Sequence, residues 1–198
     1  MVRTSLLSPS GWILRAVVVA FLPSFVPAPG HAQDRPPFSK GMLSAQVAAT
    51  VLVEAWDKNL SSERLVGETI GVGYGVREGW LIAAEAAMMH VSQSVASGAV
   101  VGGVTAIVRR RTYSRRSLVT FVEGGLGVSY ADKAVPPRGT RFNYLLQVGG
   151  GLTYFLARDT YLETGARWFH LSNSRPRPHS NPDIQAFGGY AGLLVRLH

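Results

Sequence analysis

His170 and Ser172 stand two residues apart in the segment Arg167-Trp168-Phe169-His170-Leu171-Ser172-Asn173. On a β-strand, side chains alternate between faces, so both point the same way with Cα atoms roughly 6.6 Å apart. An imidazole leans across that gap to a hydroxyl and acts as its general base, which makes serine a usable nucleophile. His-x-Ser triplets arise often by chance, so the strand that carries one decides its worth. A second triplet, His90-Val91-Ser92, has the same spacing but no Asn after it.

The strands carrying these residues have one greasy face. In the segment from Phe142 to Tyr154, even positions give Phe, Tyr, Leu, Val, Gly, Leu and Tyr, while odd positions are mostly polar or small. An apolar face with aromatics near both ends is the signature of a transmembrane β-strand with interfacial girdles. Leu43, Ala45, Val47, Ala49, Val51 and Val53 repeat the pattern, with Ser44, Gln46, Thr50 and Glu54 opposite. Eight such segments are expected, at about 41–56, 65–77, 79–89, 98–109, 117–130, 141–156, 159–172 and 184–197; the fourth shows no clear alternation. An even count of strands of this length predicts an all-β fold, an eight-stranded antiparallel transmembrane β-barrel in which no edge is left unpaired in lipid. Gly67, Gly71, Gly73 and Gly75 share one face of the second strand and suit a narrow interior.

The N-terminus reads as a cleavable signal peptide. Arg3 and Arg15 supply charge, the run from Ala16 to Leu22 is apolar but too short to span a bilayer, and Gly30-His31-Ala32 offers a small-residue cleavage site. The expected organisation is a signal peptide over 1–32, a loose leader over 33–40, and a barrel domain over 41–198. There are no cysteines among the 198 residues, which excludes disulfide scaffolding, thiolate metal sites and cysteine nucleophiles. Removing Arg3 and Arg15 from the formal charge of +8 leaves +6 on the mature chain. For an exported chain, anionic lipid head groups are a more economical partner than nucleic acid. Arg109-Arg110-Arg111 with Arg115-Arg116 reads as a solvated periplasmic turn or a contact for inner-leaflet phosphates. The connections 57–64, 90–97, 131–140 and 173–183 are expected on the cell exterior, where longer loops belong.

Charge sets the facing of the seventh strand. Glu163 and Arg167 share a face and are expected to form an interior ion pair, since charges are costly against lipid. Leu162, Trp168, His170 and Ser172 then face outward, with the His170–Ser172 pair at the exterior boundary. On the eighth strand Phe187, Gly189, Ala191 and Leu193 form the greasy face, and Asp183 and Gln185 share its parity. A third group holding the histidine is expected there. Glu123 is expected inside the barrel as a hydrogen-bonding group, and His31 and His179 have no partners that suggest a site.

The segment His170-Leu171-Ser172-Asn173, followed by Asn181-Pro182-Asp183-Ile184-Gln185, resembles the lipid A 3-O-deacylase (acyloxyacyl hydrolase, PagL-like) family, as do Phe121 to Gly127 and Pro136 to Asn143. The resemblance covers most of the second half of the chain. It implies an outer-membrane esterase with His170 as general base, Ser172 as nucleophile, Asn181 at the oxyanion hole and Asn173 in support. The family's acidic residue falls on Gln185, and Arg175 stands where a small residue is expected. The chain also lacks a C-terminal aromatic, ending in Leu197-His198. Three outcomes stay open: Gln185 orients the imidazole, Asp183 on the same face takes over, or activity is lost.

The expected function is therefore a serine esterase removing an ester-linked acyl chain from lipopolysaccharide lipid A, with outer-membrane lipids around it. It needs no cofactor and no metal. Lys133, Arg138, Arg175 and Arg177 are expected contacts for lipid A phosphates. The rivals are an outer-membrane phospholipase and a structural or adhesive barrel without chemistry.

Overall fold

A computed structural model describes residues 36–55, 62–173 and 183–198. Eight strands follow in order: β1 (Leu43–Glu54), β2 (Arg64–Arg77), β3 (Trp80–Ser92), β4 (Ala99–Arg115), β5 (Leu118–Val135), β6 (Thr140–Ala157), β7 (Thr160–Ser172) and β8 (Ile184–Leu197). Each pairs antiparallel with the next, and β1 pairs with β8 to close the barrel. Leu43 shows the closure directly, with Tyr74 as its register partner on β2 and Leu197 on β8. Closure gives every strand a partner on both sides, which is what hydrocarbon surroundings demand of a backbone. The expected signal peptide, with cleavage after Ala32, lies outside the described residues.

The two ends differ. At one end the turns hold two residues each: Glu78-Gly79, Arg116-Ser117 and Arg158-Asp159. Gly79, Arg116 and Arg158 carry positive φ of 75°, 49° and 43°, as tight hairpins of twisted strands require. The connections at the other end are longer. The expected loop 131–140 shrinks to 136–139, because β5 runs on to Val135, and β3 extends through Ser92 to absorb the second His-x-Ser triplet.

Alternation holds around the wall. Leu43, Val47, Val51 and Val53 are exposed outward, while Ser44, Ala48, Thr50 and Leu52 are buried inward. The fourth strand alternates too, with Val100, Val104 and Val108 outward and Val101, Thr105, Ile107 and Arg109 inward. The lumen is filled in three layers. Leu52, Leu65, Val91, Val135, Phe169 and Leu171 belong to an apolar cluster toward the loop end. Phe38, Leu81, Ile107, Phe121, Tyr161 and Leu194 belong to another toward the turn end.

A charged belt lies between them. Arg109 Nε meets Glu123 at 2.8 Å and its Nη1 meets Glu163 at 3.1 Å; Arg167 meets Glu123 at 2.8 Å and Glu85 at 2.9 Å. The interior pair expected between Glu163 and Arg167 is therefore corrected. Glu163 pairs with Arg109, and Arg167 pairs with acids on β3 and β5. Arg109 is also no part of a solvated turn: it is fully buried, because β4 continues six residues beyond it. Glu123 is inside, as expected. Gly165 leaves room for Tyr190, whose hydroxyl would lie 2.7 Å from a Cβ there. Arg167 sits 4.5 Å above that ring.

The described part of the expected loose leader is packed. Phe38 is fully buried, edge-on to Phe121 at 5.4 Å, and its carbonyl accepts from Gly79 N at 2.8 Å. Gly41 N donates to Gly75 O at 2.7 Å, so the segment closes the turn end of the lumen.

Candidate active site

β7 buries Tyr161, Glu163, Arg167, Phe169 and Leu171 inward, which turns Leu162, Trp168, His170 and Ser172 to the outer wall. His170 and Ser172 thus share a face at the loop end, as the two-residue spacing predicts. Across β6 they register with Leu146 and Tyr144, and across β8 His170 registers with Gln185. Phe142 and Tyr144 contact edge-to-face at 5.5 Å, and Phe187 on β8 is also exposed, so the pair sits within an aromatic belt. Trp168 stacks almost parallel on His170, with centroids 5.8 Å apart.

Two candidates for the third group lie beside the imidazole, in different relations to it. Asp183, the last residue before β8, places Oδ2 3.5 Å from His170 Nδ1. Gln185, although the register partner of His170, turns its amide to Asp183 and donates from Nε2 to the same Oδ2 at 2.9 Å. The carboxylate touches the imidazole and the amide holds the carboxylate. Nδ1 has no hydrogen bond, and 3.5 Å is loose, a gap of the kind that catalytic groups close when substrate binds. With Nδ1 turned to Asp183, Nε2 is the nitrogen left for chemistry. Ser172 is buried, while His170 and Asp183 remain part-exposed.

Asn173 lies just beyond β7, half-buried. Asn181, Arg175 and Arg177 lie outside the described residues, as does His179. Lys133 and Arg138 do come together, lining with Gln93 and Ser97 a cavity of about 380 Å³ between the β3–β4 and β5–β6 connections. Lys133 Nζ is already engaged there by Ser97 Oγ at 3.1 Å and Gly98 O at 3.0 Å. None of His170, Ser172, Asp183 and Gln185 lines that cavity. Sequence reasoning does not pick out the wall residues Tyr144, Leu146 and Phe187 as site neighbours; their signal is outward parity at the same end of adjacent strands.

Comparison with known proteins bears on the family and the fold. Residues 93–193, about half of the chain, match the family described as lipid A 3-O-deacylase (PagL). Comparison with curated proteins finds no match. Among solved structures, the chain is similar to Neisserial surface protein A (NspA), with TM-score 0.60 and 14% identity over 79% of this chain and 96% of that one. It is also similar to the outer membrane protein OprG from Pseudomonas aeruginosa, with TM-score 0.52 and 11% identity over 81% and 97% of the two chains. The N-terminal β-barrel domain of Pseudomonas aeruginosa OprF gives 0.50 and 14%, over 80% and 100%. At these identities the likeness is one of fold, the small outer-membrane barrel.

Proposed function

The chain belongs to the lipid A 3-O-deacylase (PagL) family, and on that premise we propose that it hydrolyses an ester-linked acyl chain of lipid A at the outer-leaflet boundary of the outer membrane. The observation that carries the reading is the carboxylate of Asp183 beside His170 Nδ1, on the same outward face as Ser172. Short turns face the periplasm in outer-membrane barrels, which supports a cell-exterior placement for the loop end and this site.

In the proposed reaction His170 Nε2 takes the proton of Ser172 as Oγ attacks the ester carbonyl. The C–O bond to the sugar breaks, and the departing alkoxide receives that proton from His170. Water, deprotonated by the same nitrogen, then releases the fatty acid and restores Ser172. Asp183 keeps the proton on Nδ1 and stabilises the imidazolium that forms between the steps. Asn181 is assigned to the oxyanion by the family pattern and Asn173 to its support. Gln185, where the family has an acid, here positions Asp183. Trp168 limits rotation of the imidazole and lies where the acyl chain meets the wall.

Incubating the purified protein separately with lipopolysaccharide and with phospholipid, then weighing the products by mass spectrometry, tests the reading. Loss of one hydroxyacyl chain from lipid A supports it. Phospholipid fatty acid released with lipid A intact would make the protein a phospholipase, and no product from either would leave a barrel without chemistry.

A further inference from the structure

The turn end carries a surface that the esterase reading does not use. Trp80 opens β3 on the outward face, and its register partners are both arginines, Arg77 on β2 and Arg110 on β4. The Arg110 guanidinium lies 5.0 Å from the Trp80 ring centroid. Farther along β4, Tyr113 and Arg115 face outward as partners of Thr120 and Leu118. Arg116 sits in the β4–β5 turn, Arg158 in the β6–β7 turn across the barrel, and Lys40 is exposed on the segment that closes the lumen.

The acids nearby are already engaged. Glu78 accepts from Arg111, whose hydrogen bond holds that carboxyl below the usual carboxylate range. Asp159 meets Arg196 at 3.6 Å and His198 at 2.9 Å. Among the described residues, none of Lys40, Arg77, Arg110, Arg115, Arg116 and Arg158 has an ion pair. Directly inward along the wall the surface becomes apolar, with Ile82, Val108 and Tyr74 exposed. Cations at a membrane boundary beside a bare hydrocarbon-facing wall call for an amphiphile with an anionic head.

We propose that the Trp80-centred arginines bind the phosphodiester head group of an anionic glycerophospholipid in the periplasmic leaflet, its acyl chains lying against Ile82 and Val108. Arg77 and Arg110 flank the head group from two strands, and Trp80 keeps Arg110 extended along the interface. Arg115 and Arg116 widen the positive field toward the periplasm. The proposal rests on the outer-membrane orientation but not on the esterase chemistry.

The test is native mass spectrometry of the folded full-length protein in detergent, with equimolar phosphatidylglycerol and phosphatidylcholine. The protein is expected to retain phosphatidylglycerol at least tenfold over phosphatidylcholine, at about fivefold per engaged arginine. Arg77→Gln with Arg110→Gln and Arg115→Gln brings the ratio to within about twofold and leaves phosphatidylcholine retention unchanged. Equal retention of the two lipids by the unaltered protein overturns the proposal, whatever the variant does. So does a preference that survives the triple substitution or, if the triple variant does not fold, one that the single Arg110→Gln leaves undiminished instead of lowering about fivefold. Inorganic phosphate in millimolar excess should not displace the lipid; displacement would show a free-anion site instead. Ser172→Ala retains the full preference, so failure of the esterase reading leaves this result standing.

Discussion

Two His-x-Ser triplets occupy one barrel, both outward and both at the loop end. His170 and Ser172 lie on β7; His90 and Ser92 lie on β3. Their neighbours separate them. His90 registers with Val66 on one side and Val100 on the other, and its ring leans over Gly98, where a Cβ would come within 2.9 Å of Nε2. It has no ion pair among the described residues. His170 instead has a carboxylate at 3.5 Å, an amide holding that carboxylate, and an indole stacked on its face. The same three-residue pattern has apolar register partners on one strand, and a carboxylate, an amide and an indole beside it on the other. The two strands are also joined through the lumen, by Arg167 on β7 and Glu85 on β3 at 2.9 Å.

That contrast is open to direct attack. Ser172→Ala and His170→Ala are each expected to lower acyl release from lipid A by about a thousandfold or more, while His90→Ala and Ser92→Ala stay within about twofold. Equal losses at both triplets would erase the distinction. Arg167→Met leaves Glu85 and Glu123 without their shared cation, and should cost the barrel about 3–5 kcal/mol in a denaturant titration followed by loss of strand signal. Asp183→Asn is expected to cut turnover about a hundredfold with little change in KM, since it removes charge from behind the imidazole and no substrate contact.

Gln185→Ala should cost about tenfold, because Asp183 stays but is no longer held. Adding Gln185→Glu to Asp183→Asn returns the acid to the family's position and should recover most of the loss; no recovery would mean that a carboxylate placed there cannot reach Nδ1. Smallest of all, Gly98→Ala meets the movable His90 ring and presses lightly on the Val91 carbonyl, and should leave activity unchanged and stability within about 1 kcal/mol.

The barrel is legible in the sequence because a two-residue period is a property of the extended backbone, and β1 and β6 display it in their residue types. β4 hides it: Val100, Val101, Gly102 and Gly103 are apolar or small on both faces, since the lumen at that level is itself apolar. The arginine run deceives for a related reason. Arg109 looks solvated beside Arg110 and Arg111, and its acids Glu123 and Glu163 come from β5 and β7. At the site, the shared face of His170 and Ser172 follows from spacing alone. The choice between Asp183 and Gln185 does not, because both have outward parity and differ only in side-chain reach. Gln185 is the register partner of His170, while the Asp183 carboxylate lies 3.5 Å from Nδ1.

A cylinder filled this way among its described residues is expected to conduct nothing. Phe38 and Phe121 stop one mouth, the belt of Glu85, Arg109, Glu123, Glu163 and Arg167 ties the waist, and Phe169 with Leu171 closes the far side. An ion entering the lumen would meet fixed charges already paired with one another. Insertion into a voltage-clamped bilayer should therefore give no step in current, and a cell can hold many copies of this protein in its outer envelope without becoming leaky.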